Sequence, residues 1–378
     1  MSRQSASNRA LWLSSFSSPP SVIDLPIPTA SAGAVVIRVL ATPILPYTDA
    51  IHNGQVPVGL QLPIVPNSTA IGRVYSAPPD AVKLKEGDLV YANSVVRARD
   101  DPESMIMIGH HSSEEPGANK LMQGEWRDGT LQQYHKVPLE NCFVLNEQRL
   151  CRELKYGPGE LQAIPMYAVA AGAIIESANV KMGDTVVVGP SGGSFGGLAV
   201  ELALLLGANV IALGRDKVKL ESMQQKLGNN PRLCSIVMTG DDEADSTTIL
   251  KATPYGAGAD VFNDWTPGGI EHPIYLSAAM RTLKRGGRVV LSGGAHGDVV
   301  VPYGDLLSKD INVMGKLMYT RDTLERVILF ITRGYLNIGK DSGTEVATFG
   351  LDQHEEAIKH AGANAGWRTY TVVNPNLE

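Results

Sequence analysis

The sequence predicts an α/β protein in which a doubly wound parallel sheet follows a smaller β-rich domain. Three observations predict it. Between Thr185 and Gly214 a β-branched run (Thr185–Val188) drops into a glycine-rich turn, an apolar stretch runs to Leu206, and a second β-run spans Val210–Leu213. Downstream, β-like runs at 235–239, 259–263 and 288–292 alternate with helix-like stretches at 217–227 and 273–283. That alternation marks parallel strands joined by crossover helices. Before about Tyr156, by contrast, the chain shows only short β-runs punctuated by Pro and Gly.

Length and composition bound the function classes. The chain has 378 residues, long for one core and comfortable for two domains. A formal net charge of −6 argues against nucleic acid or an anionic membrane surface as a partner, and leaves a small molecule as the expected ligand. No apolar run approaches the ~18 residues of a membrane span. The first 21 residues lack the apolar core and cleavage site of a secretory leader, and read as a polar arm. Three widely spaced cysteines, Cys142, Cys151 and Cys234, suit reduced thiols in a cytoplasmic protein.

In chain order, strands are expected at 34–40, 70–75, 88–91 and 131–137, separated by turn signals such as Pro78-Pro79-Asp80 and Glu86-Gly87-Asp88. The stretch 97–124 has no clear periodicity and reads as a long surface excursion. An Ala-rich helix over 161–180 carries the chain into the second domain. A closing strand is expected over 311–319, then an amphipathic helix with Leu324, Val327, Ile328 and Ile331 on one face. A short helix over 353–361 and a last strand over 370–373 are too few to form a domain. The expected division is therefore 1–164 (β-rich), 165–317 (nucleotide-binding) and 318–378 (a segment returning to the first domain).

The glycine turn carries the chemistry. Strand, glycine turn, helix, strand is the opening unit of a Rossmann dinucleotide fold. Its glycines let backbone N–H groups approach a pyrophosphate, and the helix N-terminus adds partial positive charge. Ser191, Gly192, Gly193, Ser194, Phe195 and Gly196 are the expected contacts, in a turn about one residue longer than G-x-G-x-x-G. At the end of the second strand, where an acid would hold a ribose 2′-hydroxyl, the sequence reads Gly214-Arg215-Asp216-Lys217-Val218-Lys219. Arg215, with Lys219 nearby, suits a 2′-phosphate, so NADP(H) is the expected cofactor. Asp216 keeps NAD open, and the cations also fit a solvated helix start.

Several short motifs extend the picture: Leu45-Pro-Tyr-Thr-Asp49, Pro66-Asn-Ser-Thr-Ala-Ile-Gly72, Trp126-Arg-Asp-Gly129 with Tyr134, Lys181-Met-Gly-Asp184 and Arg285-Gly-Gly-Arg288. Together with the domain order they make nearly the whole chain similar to the medium-chain dehydrogenase/reductase superfamily. There a GroES-like domain precedes the Rossmann domain. The lengthened turn, the Gly-Arg after strand two and the Gly315–Tyr319 run resemble a zinc-free branch described as quinone oxidoreductase-like or alcohol dehydrogenase-like. The resemblance implies that a catalytic zinc would take ligands at Leu45 or Pro46, at Ser68 and at Pro165, none of which can bind it. The cysteines of a structural zinc are also missing, and adjacent His110 and His111 read as polar loop residues rather than ligands. No metal is expected.

Without a Lewis acid, a substrate whose product anion is delocalised is easier to reduce. The expected reaction is hydride transfer from NADPH to an activated C=C (enone) or a quinone. A zinc-free alcohol dehydrogenase or ketone reductase is the first alternative, and a non-redox cyclase or isomerase on the same fold is the second. The resemblance puts Tyr47 and Thr48 beneath the nicotinamide as proton donors, with His52 one turn on as a relay. Tyr47 also fits a packing aromatic, and His52 a solvent-facing helix residue. Further cofactor contacts implied are Tyr167, Trp265, Gly293, Gly294 and Lys316. The resemblance also implies a homodimer joined through the closing strand.

Overall fold

A computed structural model describes residues 7–271 and 273–377. The first domain holds strands β1 (Ser7–Trp12), β2 (Ser21–Pro26), β3 (Ala34–Ile44), β4 (Ala70–Ser76), β5 (Leu89–Ala92), β6 (Val95–Arg97), β7 (Met105–Met107), β8 (Tyr134–Pro138) and β9 (Cys142–Val144). β3 organises them, pairing antiparallel with both β4 and β8. Its eleven residues are buried almost throughout, because neighbours cover both faces.

The second domain holds β10 (Thr185–Gly189), β11 (Asn209–Gly214), β12 (Leu233–Val237), β13 (Ala259–Asp264), β14 (Leu283–Leu291) and β15 (Asn312–Gly315). All pair in parallel, in the order β12-β11-β10-β13-β14-β15. The order reverses between β10 and β13, so a ligand crevice opens beyond the carboxyl ends of those strands. The helix Ser194–Leu205 is apolar on all faces but for Ser194 and Glu201, and is accordingly buried along most of its length. One core runs without a break from Tyr91 and Phe143 through Ile164 to Val188, Leu198 and Trp367.

The chain then returns. β16 (Glu345–Gly350) lies parallel to β17 (Thr369–Asn374), and β17 pairs antiparallel with β3, completing a seven-stranded sheet in the first domain.

Several expectations need correction. The polar arm is a hairpin from Ser7 onward, β1 on β2; residues 1–6 of that arm lie outside the described residues. The excursion over 97–124 is not a surface loop. It contains β7, paired to β6, and a helix Pro116–Gln123 capped by Glu115, and it buries Ile106, Ile108, Ala118 and Met122 in a second core. Hydrophobic residues at irregular spacing hid it. The Ala-rich helix is two pieces, Pro158–Leu161 and Ala163–Ala171, followed by a wider turn. The closing strand stops at Gly315, with Met318 at φ 58° and the Tyr319 hydroxyl turned inward to Tyr91 and Asn93. The helix Asp242–Ala252 and strand β16 were not anticipated.

Candidate active site

The glycine turn divides into residues that build it and residues that leave room. The Ser191 N–H and hydroxyl both donate to the Leu213 carbonyl (2.8 and 3.0 Å), which pins the turn to β11. A Cβ on Gly196 would stand 2.1 Å from the Pro190 oxygen, and one on Gly197 would stand 2.3 Å from the Trp367 ring. Those glycines permit close approach of strand and helix. Gly192 and Gly193 differ. A Cβ on Gly193 meets nothing within 4 Å, and one on Gly192 meets only the Lys219 chain at 3.8 Å. The open space beside these two lies at the N-terminus of a twelve-residue helix, whose free N–H groups suit an anion.

Around that space, Ser194 donates to the Gly366 carbonyl (3.1 Å), and Phe195 stacks on Trp265 with centroids 5.7 Å apart. The Trp265 indole is fixed by Asn263 at 2.6 Å. Gly293 and Gly294 let the loop after β14 lie against the loop after β13, with a Gly294 N–H to Thr266 carbonyl bond of 2.7 Å. Leu45, Pro46, Ser194 and Asn364 line one narrow crevice, so the exit of β3 faces the start of the cofactor helix.

At the end of β11, Gly214 is buried and Arg215 is exposed. The Asp216 carboxylate caps the next helix, accepting from the N–H groups of Val218 (2.9 Å) and Lys219 (3.2 Å). It is engaged there rather than free for a ribose. Across the crevice, Asp264 is buried at the end of β13 and accepts from the Thr266 hydroxyl (2.5 Å), which also bonds Tyr275 (2.6 Å). Desolvation pushes the Asp264 carboxyl up to about 6, opposed by hydrogen bonds from Thr266 and the Gly293 N–H.

Two expected cofactor contacts are placed elsewhere. Tyr167 is buried behind the cofactor helix and donates to Glu201 at 2.8 Å. Glu201, itself buried, also receives the Arg368 guanidinium (3.0 and 2.6 Å) and the Trp367 indole (2.6 Å). This clamp ties the Rossmann helix to the loop before β17. Lys316 is paired with Glu176, whose other oxygen accepts from the Thr320 N–H and hydroxyl, both at 2.8 Å. An apolar neighbourhood demands such pairing, and neither partner was visible from spacing.

At the exit of β3, Tyr47 precedes the helix Thr48–His52 without a side-chain bond to it and keeps 40% of its surface open. Desolvation by the surrounding protein pushes its phenol up to about 12. The Thr48 hydroxyl accepts from the Leu45 N–H (3.0 Å) and holds the bend. His52 is not solvent-facing: it is 7% exposed, and burial lowers its imidazole to about 4. His110 is no ordinary loop residue either. Its ring meets Tyr47 edge-on at 6.4 Å, both ring nitrogens are buried, and burial lowers it to about 4.

The places matched to zinc ligands hold Leu45 or Pro46, Ser68 and Pro165. The neighbouring Asn67, at φ 80°, spends its amide on the Thr42 hydroxyl (2.7 Å) and the Pro43 carbonyl (2.6 Å). Among the described residues, no group of three or more His, Cys, Asp or Glu is placed to hold a metal ion. Nor is any helix there long and apolar enough to cross a membrane.

A six-stranded parallel sheet with a glycine turn at its switch point, set against a β-rich domain that the C-terminus completes, defines a nicotinamide-dependent oxidoreductase. The alcohol dehydrogenase GroES-like domain matches residues 31–147, and the zinc-binding dehydrogenase domain matches residues 195–333. The chain belongs to the medium-chain dehydrogenase/reductase family. An alcohol dehydrogenase of Geobacillus stearothermophilus is 23% identical over 335 residues, spanning 86% of this chain and 89% of its own. Among solved structures, AibC has a TM-score of 0.78 at 21% identity, covering 99% of this chain and 97% of its own. A protein of Sinorhizobium meliloti 1021 described as a zinc-binding dehydrogenase and solved bound to NADP has a TM-score of 0.76 at 19% identity, covering 98% of this chain and 100% of its own.

Proposed function

We propose that this protein is an NADP(H)-dependent, zinc-free cytoplasmic reductase that transfers hydride to an activated C=C or a quinone of a small molecule. The observation that carries the cofactor choice is the exit of β11, where Arg215 is exposed and the nearest carboxylate, Asp216, is engaged as a helix cap. A guanidinium there matches a 2′-phosphate bidentately, whereas an NAD site wants a free acid. The structure solved with NADP bound supports the same choice.

The zinc-free reading rests on donor chemistry. A leucine or a proline, a serine and a proline stand at the places matched to the ligands, and neither leucine nor proline offers a side-chain donor. Without a Lewis acid, charge developing on oxygen must be delocalised in the product or met by a proton. Bound nicotinamide supplies the hydride. The chain supplies a pyrophosphate seat at Gly192 and Gly193, an aromatic wall of Phe195 and Trp265, and one phenol, Tyr47, at the exit of β3. That phenol, and the Geobacillus relative's name, favour a second reading: reduction of a ketone, or oxidation of a secondary alcohol, with Tyr47 carrying the proton.

Fluorescence titration with NADPH and NADH, followed by absorbance loss against a panel of quinones, enones and ketones, tests both readings. Preferential NADPH binding with enone or quinone turnover supports the first, and turnover confined to ketones supports the second. Binding of neither nucleotide overturns both. The same reading includes a homodimer. β15 is an open sheet edge carrying Val313, with Tyr303, Leu307 and Leu317 exposed nearby in the chain. Light scattering showing only monomer refutes that part.

A further inference from the structure

We propose that the cavity between β9 and the helix Arg321–Thr332 is a second ligand site, one that takes an aromatic monocarboxylate. It measures about 420 Å³, within the roughly 300–1,000 Å³ of small-molecule sites. It shares no residue with the glycine turn, the exit of β11 or the exit of β3, and it does not depend on the reductase reading. The turn between β4 and β5 gives it Asp80 and Lys83, β9 gives Phe143, and the helix gives Arg321, Glu325 and Ile328.

The helix accounts for the mixed lining. Leu324, Val327 and Ile331 form its core stripe, and Arg321, Glu325 and Ile328 form a second stripe beside it at i, i+4 and i+7. Across the cavity from that second stripe lie the buried side chains of Leu84, Cys142 and Phe143. One wall is therefore apolar, and the other carries charge next to an isoleucine. Such a pairing suits a ligand with an apolar body and a polar end.

The charge of that end follows from which groups are engaged. Both Asp80 carboxylate oxygens accept from the Gly33 N–H (3.0 and 2.9 Å), and Glu325 accepts from Arg321 Nε at 3.0 Å. Nearby, Glu140 and Arg99 pair with each other at 2.8 Å. The donors are left over. Arg321 gives Nη1 to the Glu140 carbonyl, and among the described residues no protein group accepts from its Nη2. Lys83, exposed at the rim, has no ion-pair partner among them either. A carboxylate meets both donors, whereas a cation meets only engaged acids. Shape then selects an arene. The Arg321 guanidinium lies over the Phe143 ring, 4.4 Å from its centroid, so one face of the plane is already stacked. The side chain is 53% exposed, which leaves the other face open to a flat ring.

Calorimetric titration of the full chain with 2-naphthoate, repeated with NADPH added, tests this. Naphthoate should bind at one site with a Kd of about 1 mM or tighter, and 2-naphthylmethylammonium about tenfold more weakly or not at all. Lys83→Glu should weaken naphthoate about tenfold or more without moving the denaturation midpoint, because the exposed lysine holds nothing in the fold. The saturated acid, decahydro-2-naphthoate, should bind about fivefold more weakly than naphthoate in the parent protein. In Arg321→Lys, which keeps the charge and loses the plane, the two acids should bind alike. Absence of binding, or naphthoate binding that survives Lys83→Glu unchanged, overturns the site. So does displacement by NADPH, which would put naphthoate in the cleft. Equal affinity for the ammonium or for the saturated acid in the parent protein overturns the ligand class.

Discussion

The two ends of the cleft solve opposite electrostatic problems. The nucleotide end is exposed and built from backbone and cations: open glycines at 192 and 193, a helix N-terminus, and Arg215 at the lip. The end at the exit of β3 is neutral, with Tyr47 40% exposed beside imidazoles at His110 and His52 that burial keeps uncharged. A phosphate is recognised by fixed positive charge, which water tolerates well. A proton is handled best where neither partner pays a large solvation penalty for staying neutral. The clamp of Glu201 with Arg368, Trp367 and Tyr167 holds the two ends in register.

Breaking that clamp should have the largest effect. Glu201→Ala strands a buried guanidinium and leaves an indole and a phenol without their acceptor. The expected cost is about 3–5 kcal/mol, read by urea denaturation. If the loss is below about 1 kcal/mol, solvent reaches the pair and the two ends are not rigidly joined.

Next in size is a tilt of stability with pH, opposite in sign at the two ends. The His52 imidazole is depressed to about 4. Its contribution is present above the ordinary value of about 6.5 and is lost as pH falls through about 4. The Asp264 carboxyl is raised to about 6. Its contribution is present below the ordinary value of about 3.9 and is lost as pH rises through about 6. Each amounts to roughly 3 kcal/mol over its window, and the buried His110 and His135, both lowered to about 4, tilt stability the same way as His52. Relative to the parent protein, His52→Asn should therefore lessen the rise of stability between about pH 4 and 6, and Asp264→Asn should steepen it. Denaturation midpoints that shift from the parent's in the same sense in both variants would refute the assignment.

The sequence revealed these ends unequally. The nucleotide end is written in a contiguous stretch, where the order strand, glycine turn, helix and strand carries the physics, so the sheet and the turn were readable. Gly196 and Gly192 look alike in the sequence, yet one is a packing requirement and the other leaves open space; only the position of Pro190 and Lys219 separates them. The end at the exit of β3 is assembled from distant segments. His110 comes from the turn after β7, and nothing in periodicity links it to Tyr47. The resemblance implies cofactor contacts at Tyr167 and Lys316, but Glu201 and Glu176 engage them. Long-range pairing of this kind has no local signature.

A pair of glycine substitutions sharpens the distinction within the nucleotide end. Gly193→Ala puts a methyl into open space at a backbone geometry alanine accepts (φ −85°, ψ 172°). It should leave stability nearly unchanged while weakening both nucleotides about thirtyfold, roughly 2 kcal/mol, in a fluorescence titration. Gly196→Ala drives the same methyl against the Pro190 carbonyl and should instead lower the denaturation midpoint. Equal effects from the two would mean that the turn moves as one body and that the open space beside Gly193 is not a ligand seat.

The smallest expected effect discriminates most finely between cofactors. Arg215→Ala should weaken NADPH about tenfold, close to 1.4 kcal/mol, and leave NADH unchanged, because only NADPH carries a 2′-phosphate for the guanidinium to meet. Stability should not move, since the side chain is exposed. Salt should erase much of the difference, as screening acts on an exposed pair. A converse substitution separates charge from shape. Asp216→Asn keeps an oxygen for the Val218 and Lys219 N–H groups, so the helix cap survives while the negative charge disappears. If Asp216 only caps the helix, NADPH should bind slightly more tightly and NADH equally well. If NADH weakens instead, the carboxylate leaves its cap to hold the ribose, and the exit of β11 serves both cofactors.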